Sequence, residues 1–222
     1  MGVGVIEVWI KYYPIFLKGA LGTLEIAAIA VCMGSILGTL VAILQLSKNK
    51  IINAIAVVYV NVLRGTPLLV QMYIAYFFIP MAVPALDFLS KEQTVMLALI
   101  LNSSSYVAEI IRGGINSVDK GQTEAARSLG MSSKNTMFRI ILPQAIKNIL
   151  PSLGNEYIAM IKETSLAGTF MMYELMYTKT LLANQYLIWQ PLFVIAGMYL
   201  IMTSVLSFLV NALEKEFAKS EK

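Results

Sequence analysis

The chain has 222 residues, of which 58% are hydrophobic and 14% charged, against roughly 25% charged in an average soluble domain, and that balance belongs to a membrane protein. Histidine is absent and cysteine occurs once, at Cys32, which removes disulfide frameworks, CxxC metal or redox pairs and the commonest general base. The net charge of +4 follows from the loop charges described below and calls for no nucleic-acid partner.

In chain order, MGVGVIEVWIKYYP lacks the basic start, short apolar core and small-residue cleavage site of a signal peptide. The N-terminus is therefore expected to be retained. Ile6 stands where an N-myristoylation signal needs Ser or Thr. Uncharged runs cover 26–47, 65–86 and 180–213, and about 20 apolar residues cross the hydrocarbon layer. The pattern predicts five spanning helices, about 20–46, 52–80, 93–112, 146–169 and 187–211. Cys32 reads as a small buried apolar side chain inside the first.

The second segment, at 1.5 Å per residue, would be about 45 Å long, too long to stand upright. Arg64-Gly65-Thr66-Pro67 supplies a break, since Pro67 lacks an N–H and disfavours helical geometry at Thr66. An interfacial elbow over 52–63 leaves Arg64 near the cytoplasmic face instead of mid-bilayer. With the N-terminus outside and the C-terminus inside, eleven Lys and Arg fall in cytoplasmic segments and four (Lys11, Lys18, Lys91, Lys179) outside. That distribution obeys the positive-inside rule. Tyr12, Tyr13, Tyr76, Tyr186 and Trp189 read as interfacial aromatics.

Polar groups inside the spans are candidate functional residues. The third span offers Asn102, Ser103, Ser104, Ser105 and Tyr106, for helix packing or substrate contact. Glu109 and Arg112, three apart, form an expected structural pair. On the fourth span Ser152, Glu156, Ala159 and Glu163 share one face, with Asn148, Asn155 and Lys162 on the adjacent one. Gln71, one turn beyond Pro67, has both a donor and an acceptor to offer a zwitterion or a neighbouring helix.

The longest inner connection, about 113–145, is expected to contain two short helices. Asp119 or Thr123 caps the first, Gly130 stops it, and Ser132 or Ser133 starts the second. Pro143 ends that helix or opens the next span.

The same stretch carries Glu124-Ala125-Ala126, Gly130 and Ile140-Ile141-Leu142-Pro143 at a defined spacing. It resembles the cytoplasmic loop of permease subunits in binding-protein-dependent ABC importers. Arg64-Gly65-Thr66-Pro67-Leu68-Leu69-Val70-Gln71, Tyr106-Val107-Ala108-Glu109, Gly121-Gln122 and Lys162-Glu163-Thr164-Ser165-Leu166 look like the polar amino-acid branch, the histidine, arginine, glutamine and glutamate type. The likeness covers about residues 15–213. Ser103-Ser104-Ser105 and Glu163 depart from the common pattern in ways that bear on substrate choice.

The resemblance implies an all-α integral membrane protein, a single permease domain over 1–222 of the type I importer kind, in a prokaryotic inner membrane. It implies that Glu124, Ala125, Ala126, Arg127, Leu129, Gly130 and Met131 dock in a groove of an ATPase subunit as a coupling helix. Substrate contacts are expected among Gln71, Asn102, Ser103, Ser104, Asn155, Glu156 and Glu163. The implied partners are cytoplasmic ATP-binding subunits, a second permease copy or paralogue, an extracytoplasmic binding protein and a polar amino acid. No G-x4-G-K-[ST] phosphate loop occurs in the sequence, so ATP and magnesium fall to the partner and this chain needs no cofactor. The rival readings are an ion-coupled secondary transporter using Glu156 or Glu163, an importer of another small polar solute, and an intramembrane enzyme, for which no nucleophile motif exists.

Overall fold

A computed structural model describes residues 4–83, 88–183 and 189–219. The described residues form helices and turns. Helix α1 runs Val5–Gln45, well before the expected start near residue 20. Its 41 residues are about 60 Å of helix, and the chain departs from helical geometry at Tyr12 (φ −122°, ψ 15°), two residues before the internal Pro14. Pro14 has no N–H to continue the ladder, so the first turns form a separate arm. That arm buries Val8 with Phe16, Leu175, Leu182, Val194 and Ile195.

Helix α2, Lys50–Gly65, is capped by Asn49, whose Oδ1 accepts from the Ile51 and Ile52 N–H groups. The expected break follows at Thr66-Pro67, and the chain turns through 104° into α3 (Leu68–Tyr73). A π-helical turn, Ile74–Phe78, and the short α4, Ile79–Ala82, complete this arm. Gln71 braces the break: its Nε2 donates to the Leu63 carbonyl at 2.7 Å, to the Thr66 carbonyl at 3.1 Å and to Thr66 Oγ1 at 2.9 Å. Carbonyls left without helical partners are thereby satisfied.

Helix α5, Lys91–Asn116, opens with a Ser90–Gln93 capping box. It lies along α1, because Gly34 and Gly38 admit Ser103 and Ser104. A Cβ on Gly34 would stand 2.8 Å from Ser103 Cβ, and one on Gly38 would stand 2.6 Å from the Ser104 carbonyl. The main core gathers Ala27 and Ala30 of α1, Met72 of α3, Val95 and Leu99 of α5, and Met160 and Ile161 near the end of the next long helix.

Beyond α5 come α6 (Lys120–Ser128), α7 (Ser133–Thr136), a π-helical turn (Met137–Ile141) and α8 (Leu142–Glu163). Pro143 falls in the first turn of α8, where its missing N–H costs nothing. A 3₁₀ segment, Thr164–Phe170, ends α8 and leads through Met171 (φ 63°) to α9 (Thr178–Leu182). Helix α10 is Trp189–Lys219. Tyr186, and the first residues expected of the last span, lie outside the described residues.

Five spans are expected from the sequence. Among the described residues, α1, α5 and α10 are long and apolar enough to cross a membrane, and the bent α2–α4 pair makes a fourth. Helix α8 has 22 residues but carries Lys147, Glu156, Lys162 and Glu163; it is not among the helices apolar enough to cross by composition, and of these four groups Glu156 alone is buried while Lys162 and Glu163 are exposed. Cys32 is exposed, not buried, because the packed stripe of α1 passes through Ala27, Ala30, Val31 and Gly34.

Candidate functional site: a protruding loop and a polar pocket

The α6–α7 loop protrudes from one end of the bundle, called here the loop end. Asp119 Oδ1 accepts from the Gly121 N–H at 2.6 Å to start α6. The helix stops as expected at Gly130, whose φ of +83° is unfavourable for any residue with a Cβ. There the Met131 N–H reaches the Ala126 carbonyl at 3.1 Å and the Gly130 N–H the Arg127 carbonyl at 3.0 Å, a Schellman closure. Ser132 Oγ then accepts from the Asn135 N–H at 3.2 Å to start α7.

Of the seven residues expected to dock a partner, Glu124, Ala125, Arg127, Leu129 and Gly130 are exposed and Met131 is half-buried. Leu129 is 85% exposed, an apolar knob on a polar loop. Ala126 differs: it is buried, since one side of α6 packs on the Met137–Ile141 turn. Phe138, 60% exposed on that turn, was not singled out in the sequence, although it stands at helical spacing beside the recognised motif.

The polar groups of α5 and α8 meet in a cavity of about 260 Å³ beside the α2–α3 break, lined by Thr66, Pro67, Leu68, Asn102, Tyr106, Glu156, Ala159, Met160 and Glu163. Glu156 is 9% exposed, and its Oε1 accepts from Ser103 Oγ at 3.0 Å. Asn102 Nδ2 donates to Gln71 Oε1 at 3.1 Å, which links the pocket wall to the braced break.

At the rim, the Arg64 guanidinium lies 5.2 Å from the Tyr106 ring centre and its Nη1 is 3.2 Å from Glu109 Oε2. The expected Glu109–Arg112 pair is present, with bonds of 2.9 and 2.8 Å, and Gln45 Nε2 adds a third donor at 3.2 Å. Arg64 and Gln45 are distant in sequence, so spacing on one helix could not reveal them.

The seven expected substrate contacts thus separate. Asn102, Glu156 and Glu163 line the pocket, Ser103 orients Glu156, and Gln71 supports Asn102. Ser104 is fully buried, its Oγ 2.6 Å from the Tyr59 hydroxyl and donating to the Leu101 carbonyl; it faces the helix contact, not the pocket. Asn155 is exposed and lines a different cavity, with Lys147 and Glu214, because it stands about 100° around α8 from Glu156.

Residues 34–219 match the family of binding-protein-dependent transport system inner membrane components. The chain belongs to this family. The permease is 39% identical over 214 residues to a putative glutamine transport system permease protein of Rickettsia felis, covering 95% of this chain and 97% of that one. It is 40% identical to a nopaline transport system permease protein of Agrobacterium fabrum, covering 94% and 90%. A probable glutamine ABC transporter permease of Bacillus subtilis is 37% identical, covering 94% and 95%. The crystal structure of an amino acid ABC transporter with histidines superposes with a TM-score of 0.90 at 39% identity, covering 97% of this chain and all of that one. An inward-facing MetNI methionine ABC transporter shares the fold, with a TM-score of 0.72 at 15% identity over 96% of this chain and 98% of that one.

At the far end of the permease from the loop, Glu174 is fully buried, and no motif or spacing in the sequence marks it. Its carboxylate accepts from the Met176 and Tyr177 N–H groups, both at 2.6 Å, and from the Tyr199 hydroxyl at 3.0 Å. The Leu175 N–H donates to Thr23 Oγ1 at 3.0 Å. One carboxylate thus joins this turn to α10, while the neighbouring amide joins it to α1. The one sequence signal is a lone acid in Phe170-Met171-Met172-Tyr173-Glu174-Leu175-Met176.

Proposed function

We propose that this permease forms, with a second copy or a close paralogue, the membrane pathway of an ATP-driven importer for a polar amino acid. The observation that carries the reading is the convergence of Asn102, Glu156 and Glu163 in one open pocket, on the two helices that flank the docking loop. The amino acid names borne by the relatives support the same cargo class. Acidic groups suit the ammonium of an amino acid, while the Asn102 amide and the Thr66 hydroxyl supply neutral hydrogen bonds.

The loop is the point of coupling. Glu124, Arg127, Leu129 and Gly130 offer an exposed helix end for an ATPase groove, with Ala125 allowing close approach. ATP and magnesium belong to that partner, and an extracytoplasmic binding protein delivers the cargo to the opposite face. The chain runs from α5 directly into α6, and from α7 through the π-helical turn into α8. Displacing the loop therefore pulls on both helices that carry the pocket. Cargo with equal affinity for both arrangements shifts nothing, so the ATPase supplies the bias. In this assignment the N-terminus is extracytoplasmic and the C-terminus cytoplasmic.

Uptake by vesicles holding the permease, its ATPase subunits and the binding protein tests the reading. Uptake is expected to need internal ATP and to survive an ionophore. Uptake that persists without ATP and collapses with the ionophore would make the chain an ion-coupled carrier instead.

A further inference from the structure

The pocket between α5 and α8 is chemically lopsided. Among the described residues its lining holds two carboxylates, Glu156 and Glu163, and no Lys or Arg. An amino acid brings an ammonium, which those acids suit, and a carboxylate, which they repel. Lys162 does not redress the balance: it is exposed and stands about 100° around α8 from Glu163, away from the lining. A cation does stand at the rim. The Arg64 guanidinium lies 5.2 Å from the ring centre of Tyr106, a lining residue, and Thr66, two residues further on, also lines the pocket. The Arg64 charge is felt at Glu156 inside.

Arg64 is held in a way that lets it leave. Its Nη1 approaches Glu109 Oε2 at 3.2 Å, whereas Arg112 grips the same carboxylate with two bonds, 2.9 Å to Oε1 and 2.8 Å to Oε2. Two guanidinium groups thus share one anion, and the bidentate pair is the stronger. If Arg64 departs, Glu109 keeps Arg112 and the Gln45 donor at 3.2 Å, so no buried charge is stranded. The Arg64 side chain is 40% exposed and needs little dehydration to change partners.

We propose that Arg64 is the carboxylate-binding residue of this pocket, exchanging Glu109 for the α-carboxylate of the bound amino acid. The Tyr106 ring supports the guanidinium between the two positions, while the ammonium stays with Glu156 and Glu163. The exchange also removes one tie between α2, whose last turn carries Arg64, and α5, which carries Glu109. Cargo binding is thereby felt beside the α2–α3 break. The inference rests on the reading of this pocket as the cargo site.

The test titrates the permease–ATPase complex in detergent, without the binding protein, whose own selectivity would mask that of the pocket. The probes are radiolabelled pairs of an amino acid and its decarboxylated amine: histidine with histamine, arginine with agmatine, and glutamine with 4-aminobutanamide. The wild type is expected to bind at least one amino acid at least about tenfold more tightly than its amine, as for one charge-assisted bidentate pair. Arg64→Gln is expected to abolish that preference by weakening the amino acid alone, and Arg64→Lys to keep part of it. Glu109→Gln removes the competitor for Arg64 and is expected to tighten the amino acid severalfold with the amine unchanged, which loss of a purely structural ion pair does not do. Absence of a wild-type preference, equal weakening of both members of a pair in Arg64→Gln, or weaker amino acid binding in an assembled Glu109→Gln overturns the proposal. The cargo reading is tested apart from it by Glu156→Gln, which is expected to weaken amino acid and amine together. Binding of both as in the wild type would move the cargo out of this pocket and overturn reading and inference alike.

Discussion

The α6–α7 loop and the turn around Glu174 both reverse the chain at an end of the bundle, and they do so by opposite means. The loop closes on itself with short-range devices: Asp119 caps, the Gly130 amide pairs with Arg127, and Ser132 caps again. The side proposed to dock the ATPase is exposed. The Glu174 turn adds to its local bonds partners far away in the chain, Tyr199 of α10 and Thr23 of α1, around a carboxylate with no exposed surface. An element held by its own residues can move as a unit against the rest of the molecule, whereas one tied to two long helices cannot move without unpairing buried groups. The permease therefore places its adaptable corner at the loop end and its fixed corner at the other.

That contrast can be broken most strongly at Glu174. Glu174→Leu leaves two backbone N–H groups and the Tyr199 hydroxyl without an acceptor in a buried setting. A loss of about 3–5 kcal/mol is expected, seen as a marked fall in the thermal midpoint of the detergent-solubilised permease. A midpoint within a degree of wild type would show the corner to be loose.

Gly22→Ala tests the same corner sterically. The added Cβ would stand 2.2 Å from the Tyr173 carbonyl oxygen, a backbone atom that cannot swing aside, and a cost of about 1–3 kcal/mol is expected. Stability equal to wild type would mean that the turn yields. Gly130→Ala probes the loop instead. Forcing a Cβ into φ +83° costs about 1–2 kcal/mol locally, while the global midpoint stays nearly unchanged and binding-protein-stimulated ATP hydrolysis falls. A large drop in midpoint with coupling intact would reverse the comparison. The smallest effect is expected at Ser103→Ala, which removes the donor to Glu156. About 1 kcal/mol is lost, read as a severalfold rise in the KM for uptake with folding unaffected; an unchanged KM would detach Ser103 from the pocket.

The same division explains what the sequence made legible. Asp119, Gly130 and Ser132 each act within a few residues of themselves, so type and spacing announced the loop, and Pro67 announced the α2–α3 break for the same reason. Glu109 found Arg112 by helical spacing, but Arg64 and Gln45 reached it through folding. On α8, periodicity separated the Glu156 face from the Asn155 face without showing which one met α5. Ser103 and Ser104 are adjacent, yet one turns to Glu156 and the other to Tyr59, a choice made by the close approach of α1 at Gly34 and Gly38. Ala126 carries the motif but is buried, because the loop has a small core of its own. Glu174 stayed hidden because its burial and its bond from Tyr199 are tertiary, and its two local bonds from the Met176 and Tyr177 N–H groups follow no capping motif.

If the exposed side of α6 receives the force of a separate ATPase, Glu124→Lys shows it most directly. In the reconstituted importer, with membrane insertion and pocket residues intact, binding-protein-stimulated ATP hydrolysis is expected to fall at least about tenfold as a reversed charge meets the docking groove. Stimulation equal to wild type, from a variant that still assembles and inserts, would remove the loop from the coupling role.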